Sequence, residues 1–168
     1  MKTLFSTKKI VMFTNPMVKN ILSVLAVAGF GFILLNFTFI FDFLLHSLVV
    51  GLIKLFIPIN PEMTYYWFPP VMHALFVLVI GLISWLIFRS KLGILYKAIY
   101  MTVPSAVVFV TLGMFLYRWP VAAYALGSLC GIGILYYFYR TKQPWLYYYT
   151  VILVGLTLAI FSLLGGEI

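Results

Sequence analysis

Five stretches of this sequence each run for at least 18 residues without an Asp, Glu, Lys or Arg: Ile21–Phe41, Val71–Phe88, Ala98–Tyr117, Val121–Tyr139 and Leu146–Leu164. A bilayer's hydrocarbon core, roughly 30 Å thick, is crossed by about 20 mostly apolar residues in a helix. Lipid offers the backbone no hydrogen bonds, so a spanning segment must be a helix or part of a closed barrel. No segments of alternating apolar and polar residues are present, which excludes the barrel. The chain therefore reads as an all-α integral membrane protein, a bundle of five transmembrane helices. Pro69-Pro70, Pro120 and Pro144 stand ahead of three spans, and Pro104 lies inside a fourth.

Composition closes off the alternatives. Of the 168 residues, 65% are hydrophobic and only 8% charged, against about a quarter charged in a soluble domain. No room is left for a soluble catalytic domain, and the single cysteine, Cys130, excludes a disulfide-built fold. Residues 1–20 read as a basic cytoplasmic segment and residues 21–168 as one polytopic domain. The first span has too long an apolar run for a cleaved signal peptide, and reads as an uncleaved anchor.

The segment Asp42–Pro58 needs its own account. A straight helix from Ile21 to Ile57 would be about 55 Å long, so the chain is expected to break, bend or lie down. Asp42, His46, Ser47 and Lys54 fall within an arc of about 140° on a helical wheel. That predicts an interfacial or re-entrant amphipathic helix near Phe43–Ile57, inside an outer interfacial segment 42–70.

Charge predicts the direction of threading. With five spans and a cytoplasmic N-terminus, Lys2, Lys8, Lys9, Lys19, Arg89, Lys91, Lys97, Arg140 and Lys142 lie inside, leaving Lys54 and Arg118 of the 11 basic residues outside. This obeys the positive-inside rule and predicts a multi-pass protein of the plasma (inner) membrane with an external C-terminus. The aromatic groups agree. Tyr65, Tyr66, Trp67, Tyr117 and Trp119 would mark the outer interface, and Trp85, Tyr136, Tyr137, Tyr139, Trp145, Tyr147 and Tyr148 the inner one. The formal charge of +8 is juxtamembrane, so anionic lipid headgroups are the expected partner and nucleic acid is not.

Candidate chemistry concentrates at the outer face. All three acids (Asp42, Glu62, Glu167) and both histidines (His46, His73) fall there with Lys54 and Arg118. Asp42 and His46, four apart, would share a helix face. Two imidazoles with carboxylates suit a divalent metal or a proton relay, though a polar outer loop would collect the same residues. No metal or cofactor is specified by spacing. Arg118 could hold a phosphate or serve as a snorkelling helix-end residue. Asp42, His46, Glu62, Trp67, His73 and Arg118 are the candidate ligand-binding residues, and no catalytic set is identified. Cys130 reads as a buried structural residue. Ala123, Gly127 and Gly131 form a small-xxx-small face for helix packing, within this chain or against a partner. Asn36, Thr38, Ser84, Ser105, Thr111, Ser128 and Thr157 are polar residues at membrane depth. No ionisable side chain falls near a span's midpoint, which argues against an autonomous ion-coupled transporter.

The five-span layout, with a long first loop and Trp67-Phe68-Pro69-Pro70-Val71 opening the second span, resembles the tryptophan-rich sensory (translocator) protein family. The resemblance covers that motif and the span count, and implies a pocket for an apolar ligand. The third span lacks that family's tryptophan-rich signature, and the chain has 4 tryptophans in all. Three readings follow. The first is a non-enzymatic subunit or accessory component of a membrane complex, partnered by another subunit or by copies of itself. The second is a binder or carrier of an apolar or amphipathic small molecule or lipid. The third is an outer-leaflet enzyme using Asp42, His46 and His73.

Overall fold

The computed structural model describes residues 15–56 and 68–164, and its described residues form five helices. These are α1 (Pro16–Phe56), α2 (Phe68–Arg89), α3 (Ile94–Phe115), α4 (Pro120–Arg140) and α5 (Trp145–Leu163). All five are long and apolar enough to cross a membrane. The all-helical architecture expected from the sequence, with five helices of membrane-spanning length and apolarity, is therefore present among the described residues. The bounds of α2 to α5 fall within four residues of the expected spans.

Proline sets most of the starts. Its missing N–H is harmless in a first turn, and its fixed φ suits a helix. Pro16 opens α1 behind Asn15, whose Oδ1 accepts the Met17 N–H at 3.0 Å. Pro69 and Pro70 occupy the first turn of α2, Pro120 opens α4, and Pro144 caps α5. The tight α4–α5 turn closes by a Schellman pair: Lys142 N–H donates to Tyr139 C=O at 3.2 Å and Gln143 N–H to Phe138 C=O at 3.0 Å. This needs a left-handed residue after the cap, and Lys142 supplies it with φ 51°.

The interfacial helix is where structure and sequence part. Residues 42–56 form no separate element; they continue α1 unbroken for 41 residues, about 60 Å. The reason is local: no proline occurs between Pro16 and Pro58, and a lone Gly51 costs a helix only about 1 kcal/mol. His46 meets the Phe68 ring edge-on at 5.6 Å. The ten residues Ser47–Phe56 thus run about 15 Å past the first turn of α2.

Helix directions alternate, and α3 is the centre. It packs most extensively on α1 and α5, and also touches α2 and α4. Around it the neighbours follow the order α2–α1–α5–α4, each touching the next. Two clusters make the core. One joins Val27, Ala98, Phe138, Leu146, Tyr147 and Val151 near the ends that carry Arg89, Lys97 and Arg140. The other joins Phe76, Ile80 and Val103, with Leu34, Leu35 and Leu45 of α1 against it. Phe109 of α3 fits between two glycines, within 3.7 Å of where a Cβ would stand on Gly131 of α4 and on Gly155 of α5.

Hydroxyls also tie the helices to one another. Thr150, fully buried, donates to Leu146 C=O at 2.8 Å and toward Ala98 C=O of α3 at 3.2 Å. Ser84 donates to Ile80 C=O at 2.7 Å, so its 3.1 Å contact with Tyr100 has the phenol as donor. Tyr124 and Ser162 join α4 to α5 at 2.8 Å.

Candidate functional site

Among the described residues α2 and α4 do not touch, although both lie on α3. The gap between them is an open groove of about 520 Å³, within the range of about 300–1,000 Å³ usual for small-molecule sites. Val107, Val108, Thr111 and Leu112 of α3 form its floor. Val77 of α2 stands on one side, and Leu126, Leu129 and Cys130 of α4 on the other. Almost all of this lining is apolar. It lies between the helix midpoints and the end opposite the basic residues.

One polar pair stands at the groove's rim. His73, one turn before Val77 on α2, has its Nε2 2.9 Å from Thr111 Oγ1. The Thr111 hydroxyl also lies 2.6 Å from Val107 C=O, a group that can only accept. A threonine has one hydroxyl hydrogen. It goes to Val107, so Thr111 accepts from His73 and Nε2 must carry the proton. The ring is further held by Phe76 and Phe115, each with its centroid 6.3 Å away. The second ring nitrogen is Nδ1. It has no partner among the described residues, and no unpartnered side-chain nitrogen or oxygen there is buried. Nδ1 is therefore not fully buried.

The other candidate residues do not join it. Asp42, the one acid among the described residues, is half-buried and makes neither an ion pair nor a hydrogen bond there. Its helix-face neighbour His46 is exposed and packs on Phe68 rather than bonding to Asp42. Arg118 turns back on its own neighbour, donating from Nε to Tyr117 Oη at 2.8 Å with the guanidinium 5.6 Å from that ring. Glu62 and Trp67 lie outside the described residues. Among the described residues no three of His, Cys, Asp and Glu are grouped to hold a metal. The small-residue face of α4 is half-buried at Ala123, Gly127 and Gly131, and Gly131 packs within the chain, on Phe109.

Basic groups gather at the far end. Lys19, Arg89, Lys91, Lys97, Arg140 and Lys142 lie at the ends or turns that alternate to one side of the bundle. Lys97 Nζ donates to Phe88 C=O at 2.8 Å, satisfying a carbonyl left open at the α2 C-terminus. Arg89 lies 5.0 Å from the Trp85 ring centroid, a cation–π distance.

Sequence reasoning missed most of the groove. Val77, Val107, Val108, Leu112, Leu126 and Leu129 carry no signal separating them from lipid-facing residues. Cys130, expected to be buried, is a half-buried free thiol in the groove wall. Thr102 and Thr150, absent from the expected polar set, are the most deeply buried polar residues described. Compared with protein-family models, curated proteins and solved structures, the chain matches none.

Proposed function

We propose that the chain crosses the plasma (inner) membrane five times with a cytoplasmic N-terminus and an external C-terminus, and binds or carries an apolar or amphipathic small molecule or lipid. The observation that carries the binding role is the groove over α3, lined from three helices and bordered by one polar pair. Six described basic residues at one end support the orientation, with Lys54 and Arg118 at the other. Lys2, Lys8 and Lys9 precede the same end in the sequence. Anionic headgroups there would contribute about 1 kcal/mol per basic residue. The last ten residues of α1 then run through the external headgroup layer, taking the role expected of a separate interfacial helix.

A second reading, a subunit or accessory component of a membrane complex, is favoured by the incomplete ring around α3. The gap between α2 and α4 would take a ridge of one further helix, from a partner or a second copy. A Cβ on Gly127 beside it would meet nothing within 4 Å. The third reading, an enzyme using Asp42, His46 and His73, draws no support from the geometry, because the three have separate neighbours.

A photo-crosslinking amino acid at Leu126, with a second at Leu156 on the lipid-facing side of α5, separates the first two. A small-molecule adduct at Leu126 distinct from the bulk lipid caught at Leu156 supports binding. A polypeptide adduct at Leu126 supports the subunit. The same bulk phospholipid at both positions contradicts both.

A further inference from the structure

Asn36 stands on the outer pole of α1. At about 100° per residue it lies half a turn round the helix from Val27 and from Leu45, each nine positions away, and these two pack into the core. Asn36 therefore points away from the bundle, and it is exposed. Its depth is central. Leu34 and Leu35 beside it pack on the cluster of Phe76, Ile80 and Val103, near the midpoints of α2 and α3. One amide hydrogen returns to Phe32 C=O at 2.8 Å. The other amide hydrogen and Oδ1 have no partner among the described residues. In a bilayer this is the hydrocarbon region, where acyl chains offer neither donor nor acceptor and an unpaired amide is costly.

The surface around the amide has the form of a helix-pairing seam. Ile33, Asn36, Phe37 and Ile40, spaced i, i+3, i+4 and i+7, line a cleft of about 210 Å³ together with Phe32. Such a set of four is the hole that receives a knob from a facing helix. Gly29, Ile33, Asn36, Ile40 and Phe43, all exposed, alternate by four and three residues, the repeat of paired helices. A Cβ on Gly29 would meet nothing within 4 Å, so a neighbouring backbone can come close there. We propose that the chain pairs with a second copy of itself through α1, Asn36 against Asn36. Copies threaded the same way present α1 in parallel at equal depth, and a two-fold axis along the membrane normal brings position 36 onto its counterpart. The free N–H of each amide then meets Oδ1 of the other, which completes both. A different polypeptide would need a matching polar group at this one depth, whereas a second copy carries it already. The inference rests on the helices lying in a bilayer, and on neither the direction of threading nor the groove, which none of these residues lines.

The test uses the full chain with Cys130→Ser and one new cysteine at a time: Ile33→Cys, Ile40→Cys or, as a control on an exposed position of α5, Leu156→Cys. Each is oxidised with copper phenanthroline in its own membrane. The expected result is an adduct of twice the chain's mass at positions 33 and 40 and little at 156. Adding Asn36→Leu should weaken the pairing about tenfold, the size of two hydrogen bonds between membrane helices, while Asn36→Gln, which keeps an amide, should retain most of it. Equal yields at all three positions would be random collision and overturn the pairing, as would no adduct at 33 and 40. An adduct of any other mass there would put a different polypeptide on this face and overturn it too. An undiminished yield with Asn36→Leu would remove the amide from the account. The comparison among positions keeps Asn36, so it does not depend on how that variant folds. Resistance of the chain to carbonate extraction checks the embedding separately.

Discussion

Gly31 on α1 lies so close to Thr102 on α3 that a Cβ at position 31 would stand 2.6 Å from Thr102 Cγ2. Thr102 is only 2% exposed, and its hydroxyl donates to Ile99 C=O at 2.8 Å, so its short branched side chain has nowhere to turn. Gly31→Ala is predicted to force α1 off α3 and destabilise the protein by about 1–3 kcal/mol, the range for overpacking. Thermal unfolding in detergent measures it. Adding Thr102→Ala should restore most of the loss, since the clash is with that methyl group; no recovery would locate the cost elsewhere.

The glycines of α4 should behave differently. A Cβ on Gly127 meets nothing within 4 Å, and one on Gly131 meets Phe109 Cζ at 3.7 Å, an ordinary contact. Alanine is the better helix former by about 1 kcal/mol. Gly127→Ala and Gly131→Ala are therefore predicted to leave the unfolding temperature unchanged or raised. A loss on Gly127→Ala matching that of Gly31→Ala would mean that another helix packs there, favouring the subunit reading.

Thr150 tests the hydroxyl ties. Its bond toward Ala98 C=O links α5 to α3, but Leu146 C=O shares the same hydrogen. Hydrogen bonds between helices in membranes average about 0.6 kcal/mol. Thr150→Val, which keeps the shape, should cost about that much. A loss of several times this size would show that the bond, rather than the packing around it, holds α5 in place.

The threading has a direct readout. With Cys130 replaced by serine, a cysteine at Arg118 should react with an impermeant maleimide on intact cells. One at Thr141, in the turn between α4 and α5, should react only after permeabilisation. The reverse pattern would turn the molecule over, placing His73 and the groove in the cytoplasmic leaflet.

Much of this architecture was legible in the sequence for a simple reason: Pro69, Pro120 and Pro144 start helices, while Arg89 and Arg140 end them. The single helix through Asp42 was not, because bilayer thickness argues for a break that residues 42–56, free of proline, do not make. His73 and Thr111 were each visible as polar residues at the expected depth. Their pairing was not, because 38 residues separate them and only the α2–α3 packing brings them together. The groove itself was invisible. In a soluble protein an apolar residue on a helix points to the core, whereas in lipid Val108 or Leu126 reads the same whether it faces a cleft, a neighbour or acyl chains.

Native mass spectrometry of the chain and of Val108→Trp, both released gently from the same membrane, tests the central claim most directly. The account predicts one apolar or amphipathic molecule per chain beyond bulk phospholipid, and the loss of that mass when the indole fills the groove. Identical adducts on both proteins, or a different polypeptide at fixed stoichiometry with no small molecule bound, would contradict it.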